Sequence, residues 1–288
     1  MMDAEAVTNR GDGEHVNANG IDIRYREAGT GEPLILLNQG MASSSPVWAG
    51  NPTAYASFVD RFAERFRVIA PDIRGSGGTV HPGGAITYAQ LADDVVGLVE
   101  ALGLGRPFVC GFSDGGLTAT VAGIRRPDFA RAIVNHGGYD LLNPEAPSMA
   151  MARQMLGGNR EATEPSFEAI AGISGHVPQL GQMFALMEQD HDAAQGPGHW
   201  KTVVAQTFPR ITQPAGYTFD DLATLTAPTL ILVGDRDNFC SVEEGVQAYR
   251  ALASGELAVL PATGHLITPQ AVQLTIDFFE RHAAEPGT

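Results

Sequence analysis

The chain has 288 residues, enough for one large α/β domain or two small ones. Its 44% hydrophobic content supplies a sizeable core, and a formal charge of −15, from 33 acidic against 18 basic residues, argues against nucleic acid or an anionic membrane surface as partner. Two cysteines, Cys110 and Cys240, with no C-x-x-C, are too few for a disulfide framework and fit a reduced, cytoplasmic setting.

Residues 1–14 are polar and acidic and are expected to form a flexible N-terminal tail, with no apolar stretch of signal-peptide length. Nowhere is an apolar run long enough to span a bilayer. Ile21–Ala28 alternates loosely and stops at Gly29-Thr30-Gly31-Glu32-Pro33, which lacks the third glycine and the following helix of a dinucleotide fingerprint. Leu34–Leu37, Arg67–Ala70, Phe108–Cys110, Ala132–Val134, Thr229–Val233 and Leu257–Leu260 are short apolar runs bounded by turn residues, as expected of strands buried on both faces. Helix-period segments separate them. Thr87–Leu102 carries an apolar stripe through Leu91, Val95, Val99 and Leu102, with Thr87 able to cap its start and Gly103 past its end. Leu117–Ile124, Val242–Leu252 and Pro269–Phe279, the last opening on proline, complete the set. Alternating strands and helices predict a mostly parallel sheet with helices on both faces. From 141 to 225 no buried strand is visible, and this stretch is expected to be an inserted helical cap, with 15–140 and 226–288 forming the core.

Gly111-Phe112-Ser113-Asp114-Gly115 matches G-x-S-x-G directly after an apolar strand and before a helical pattern, the context in which a serine is held outward at a sharp turn. A serine hydroxyl needs a base to take its proton. His265 follows the last strand, after Pro261-Ala262-Thr263-Gly264, and is preferred among eight histidines. His136 is its nearest competitor and is read as a pocket-lining or structural residue. The base needs a carboxylate to orient it, and two compete in Gly234-Asp235-Arg236-Asp237. Asp235, at the strand end, suits a turn cap or a pair with Arg236, whereas Asp237 lies further out on the loop and is favoured. The expected oxyanion hole comprises the backbone N–H of Asp114 and that of Met41, in the loop Asn38-Gln39-Gly40-Met41-Ala42. The Asp114 carboxylate either receives a cationic substrate group or caps the helix behind it.

These motifs, with Asp72-Ile73-Arg74-Gly75-Ser76-Gly77 (a D-x-R-G-x-G turn that braces the elbow), resemble the α/β-hydrolase superfamily from about residue 15 to 282. The glycine pattern at the elbow and the helical insertion are similar to the small carboxylesterase and valacyclovirase-like group. The resemblance implies an α/β-hydrolase fold and a Ser-His-Asp serine esterase needing no metal or cofactor, acting on a small molecule. Ser113 stands where dehalogenases and epoxide hydrolases of this fold carry aspartate. The family's usual His-Gly is replaced by Gln39-Gly40, which leaves backbone donors in place and lets a glutamine side chain reach substrate. Gln39, Phe112, His136, Met183, Met187 and Trp200 are the candidate substrate contacts. Rival readings use the same parts for C–C bond hydrolysis, cofactor-free perhydrolysis or a biosynthetic cyclisation, for amide cleavage, or for ligand binding with residual turnover.

Overall fold

Within Leu34–Leu37, alternate residues face opposite sides: Leu34 and Leu36 join one apolar cluster, Ile35 and Leu37 the other. That alternation in a continuous apolar run defines a strand covered on both faces. The computed structural model describes residues 13–158 and 161–283. Among them the strands are β1 (Glu14–Ala18), β2 (Ile21–Ala28), β3 (Glu32–Leu37), β4 (Phe66–Pro71), β5 (Phe108–Phe112), β6 (Ala132–His136), β7 (Thr229–Gly234) and β8 (Gly255–Leu260). They form one eight-stranded sheet in the order β1-β2-β4-β3-β5-β6-β7-β8. From β4 to β8 every pair is parallel, while β2 runs antiparallel to both β1 and β4.

One difference from expectation lies at the start. Residues 1–12 of the expected tail fall outside the described residues, but Glu14 already belongs to β1, which pairs with β2 from Glu14 opposite Tyr25 to Ala18 opposite Ile21. The turn between them is Asn19-Gly20, both at positive φ (47° and 76°), the hairpin geometry that Asn-Gly favours.

Nine helices are described: α1 (Val59–Ala63), α2 (Tyr88–Ala101), α3 (Asp114–Arg125), α4 (Pro147–Met155), α5 (Phe167–His176), α6 (Pro178–Gln195), α7 (His199–Ile211), α8 (Val242–Ala251) and α9 (Pro269–Arg281). Helices α1 and α9 cover one face through Phe62, Phe278 and Phe279, and α2, α3 and α8 cover the other. Thr87 caps α2 by accepting from Gln90 N–H at 3.2 Å. The same helix ends in a Schellman turn, with Gly103 at φ 61° and bonds from Gly103 N to Glu100 O and from Leu104 N to Val99 O.

The stretch 141–225 contains no strand among the described residues, and its helices α4 to α7 lie between β6 and β7. Phe184, Met187, Val203, Val204 and Phe208 pack there on Met41 and Trp48 of the loop after β3. Polar ties reinforce that contact: Trp48 Nε1 donates to Asp190 at 2.7 Å, and Thr207 Oγ1 donates to Gly40 O at 3.3 Å. The buried Asp72 joins the loop to β2, accepting from Arg24 Nη1 at 2.8 Å, from Ser44 N and Oγ at 2.7 Å each, and from Gly78 N at 2.8 Å.

Candidate active site

Chain crowding creates the turn after β5. A Cβ at Gly111 would lie 2.1 Å from Gly115 O, and one at Gly138 would lie 2.0 Å from Ser113 O, so only glycine fits where these backbones cross. Ser113 itself sits at φ 53°, ψ −122°, a conformation that costs a non-glycine residue about 1–3 kcal/mol. Helix α3 begins at Asp114, so the strain aims Ser113 at the carboxyl end of the parallel strands.

His265 and Asp237 arrive at the same edge on the loops after β8 and β7. Ser113 Oγ lies 3.0 Å from His265 Nε2, and His265 Nδ1 lies 2.7 Å from Asp237 Oδ2. The other Asp237 oxygen accepts from Phe239 N at 2.8 Å and Cys240 N at 3.0 Å. Burial pushes the Asp237 carboxyl up, but the imidazole and the two N–H groups outweigh it and leave its pKa lowered. The imidazole is thereby fixed with its proton on Nδ1 and its free lone pair toward the hydroxyl. Phe112 and Phe239 flank the ring with centroids 4.8 and 4.9 Å away. Asp235 is exposed and accepts from Thr263 N at 3.1 Å, so it braces the turn leading to His265.

Three expected roles differ in the structure. Met41 N–H does not face open space: it donates to Gln39 Oε1 at 2.9 Å, because the glutamine folds back over its own loop. The Asp114 carboxylate neither awaits a cation nor caps α3. Arg210, from α7, grips it through Nε at 3.0 Å and Nη2 at 2.8 Å, and Tyr88 Oη donates to it at 2.6 Å. Burial works against the Arg210 charge, but the neighbouring carboxylate more than compensates and its pKa is raised. His136 does not line the cavity; it is buried edge-on against Phe112, 5.0 Å between centroids.

A cavity of about 210 Å³ opens above Ser113 and His265. Its walls are mostly apolar, with Leu117, Leu141, Met155, Leu180, Met183 and Ile211, and no lysine or arginine is among the described residues lining it. Gln39, Phe112 and Met183 line it as expected candidates; Met187 is fully buried in packing, and Trp200 meets Phe167 edge-to-face, 5.4 Å between centroids, instead. Sequence reasoning missed Asp140 and Ser148, which line the cavity hydrogen-bonded to each other. Burial raises the Asp140 pKa, and Cys240 Sγ donates to its other oxygen at 3.3 Å. The available signal was position: Asp140 lies a few residues past the carboxyl end of β6, where sites of open parallel sheets collect. Asp237, Cys240 and His265 bring metal-type donor atoms within 4.8 Å of one another, but the Asp237 and His265 atoms are already paired together.

His191, on α6, holds the loop after β3 from above. Gly77 N–H donates to its Nδ1 at 3.0 Å, so the proton sits on Nε2 and is donated to Met41 O at 3.1 Å. Burial lowers the pKa of His191, and burial with the nearby His265 lowers that of His136 to about 3. The unfolded chain therefore binds protons at these sites that the folded chain refuses. For His136 the stabilisation is complete above the ordinary value of 6.5 and is lost as pH falls from there toward about 3, and His191 acts in the same direction. Stability should decline by about 1.4 kcal/mol per pH unit on account of His136 within that window. His136→Leu is expected to remove one proton's share of that slope, measured by urea unfolding between pH 7.5 and 4.5; an unchanged slope would contradict the assignment.

A family profile described as Alpha/beta hydrolase family matches residues 34–277, and the chain belongs to that family. It is 24% identical over 278 residues to 2-(acetamidomethylene)succinate hydrolase of Mesorhizobium japonicum, covering 96% of each chain. It is 25% identical over 279 residues to 2-hydroxymuconate semialdehyde hydrolase of Pseudomonas putida, covering 88% of this chain and 87% of that one. Among solved structures it resembles a thermophilic esterase from Thermogutta terrifontis with a TM-score of 0.68 and 21% identity, over 94% of this chain and 99% of that one. No described helix is long and apolar enough to cross a membrane.

Proposed function

We propose that this protein is a serine hydrolase that cleaves an ester, thioester or lactone of a small, largely apolar substrate through an acyl-enzyme. The observation that carries the reading is the continuous hydrogen-bond chain from Ser113 through His265 to Asp237, opening on an apolar cavity. His265 Nε2 takes the hydroxyl proton as Ser113 Oγ attacks the carbonyl, and the Asp114 N–H at the start of α3 faces the oxygen that gains charge. Collapse of the tetrahedral intermediate expels the alcohol, thiol or ring oxygen with the proton held by His265. Water then attacks the acyl-enzyme with His265 as base again. The helical insertion acts as a cap that excludes bulk water, and the apolar lining strengthens every charge interaction inside.

The cavity chemistry supports a neutral acyl group. The relatives' names specify a succinate and a muconate semialdehyde, both carboxylate-bearing. Here Arg210 is committed to the lining residue Asp114, and Asp140 adds a second acid to the wall. A substrate carboxylate would meet no unpaired cation among the described lining residues.

A fluorophosphonate should label the wild type at Ser113, and p-nitrophenyl esters of rising acyl length should show an optimum at short to medium chains. Failure of a folded protein to label would favour ligand binding over catalysis. C–C hydrolysis is the second reading, favoured by the hydroxymuconate semialdehyde relative, whose substrate contains no ester. Product analysis on a vinylogous diketone would distinguish it, since water added across the C–C bond there yields one carboxylic acid and one fragment with a new C–H bond, and no alcohol.

A further inference from the structure

The loop after β3 lies directly on the nucleophile turn. A Cβ at Gly115 would lie 2.4 Å from Leu37 O and 2.5 Å from Asn38 O, and one at Gly40 would lie 2.2 Å from Asp114 Oδ2. Gln39 sits in that loop, 7% exposed, and lines the cavity together with Ser113, Asp114 and His265. Its amide orientation is forced. Met41 N–H can donate only to an acceptor, so Oε1 faces Met41 and Nε2 must point the other way. There Nε2 is buried with no hydrogen-bond partner among the described residues. A buried amide donor left unpaired is destabilising by about 1–3 kcal/mol, a cost that persists in folds when a ligand supplies the acceptor. The same bond that orients the side chain also occupies the backbone donor that the loop would otherwise offer to a substrate.

We propose that Gln39 is a further catalytic residue, its Nε2–H donating to the substrate acyl oxygen beside the Asp114 N–H in place of the Met41 N–H. The inference rests on the serine hydrolase reading. It makes the oxyanion site part side chain and part backbone, so its strength depends on one residue whose substitution leaves the backbone in place.

The test uses an alkylboronic acid and two variants. In the wild type, Ser113 Oγ forms a bond to boron, its proton passes to His265, and the trigonal acid becomes a tetrahedral anion that mimics the intermediate. Boron resonance reports the adduct, and the ¹⁵N-labelled Gln39 side chain reports the donor. A downfield shift of the Nε2 protons on adduct formation is expected. Gln39→Glu keeps an oxygen for Met41 N–H but presents no donor, and should lower kcat by about 100-fold with little change in KM. Gln39→Met frees Met41 N–H to substitute and should lose less, roughly tenfold. Boronate affinity should fall in step with kcat. An adduct that leaves the Nε2 protons unshifted overturns the Gln39 assignment alone, as does a folded Gln39→Met variant with kcat within about threefold of wild type. Absence of any adduct at Ser113 overturns the hydrolase reading and this inference with it.

Discussion

Ser113→Ala is expected to lower kcat on an activated ester by about a million-fold, the scale seen when a serine nucleophile or its base is removed from a triad acting as a unit. The fold should be almost untouched, because alanine tolerates the φ of 53° no worse than serine does and the glycines that accommodate the turn remain. Residual turnover above the uncatalysed rate should persist, since oxyanion donors and binding still operate without the nucleophile. His265→Ala should be nearly as damaging, and the double variant no worse than either, because each acts only through the other across their 3.0 Å contact. Steady-state kinetics on freshly purified protein, with thermal unfolding alongside, checks this. A Ser113→Ala enzyme retaining more than a hundredth of wild-type turnover would refute the proposed nucleophile.

Arg210→Met should have the largest effect on stability. Arg210 and Asp114 are both almost fully buried, with side chains 2% and 5% exposed, and they share two hydrogen bonds. Removing the cation strands a desolvated carboxylate, at a cost of about 3–5 kcal/mol. For a chain of this size that corresponds to a fall in Tm of roughly 5–8 °C. Tyr88 would still donate to one oxygen and soften the loss. Converting the partner as well, in Arg210→Met/Asp114→Asn, should restore most of the lost stability, because no unpaired charge is then buried. A double variant as unstable as the single one would mean that packing of the arginine stem, rather than its charge, holds α7 in place.

How much of this was legible in the sequence follows from where the information is stored. Short apolar runs such as Leu34–Leu37 and Thr229–Val233 are strands because both faces are covered, and that requirement is written locally. Ser113 was legible because a strand and a helix flank the glycines, and Asp237 because a carboxylate further out on its loop can swing to the histidine. Strand β1 was missed because Glu14–Ala18 offers only Val16 and Ala18 as apolar residues; the Asn19-Gly20 hairpin turn was the signal to follow. The Asp114 clamp joins residues 96 apart, and nothing in the local pattern of α7 singles out Arg210 as its partner. The capture of Met41 N–H by Gln39 spans only two residues, yet it depends on a side-chain rotamer that no periodicity encodes.

The Arg210 clamp has a mechanical consequence. Its anchor is the residue next to Ser113, so α7 cannot lift without pulling on the start of α3. His191 and Thr207 tie the same layer to Met41 and Gly40. Hinging the four helices away as one rigid plate would have to break a dry ion pair and disturb the reaction geometry in the same movement. The positions of α7 and of Ser113 are therefore mechanically coupled, so a displacement of this helix is felt at the floor of the cavity.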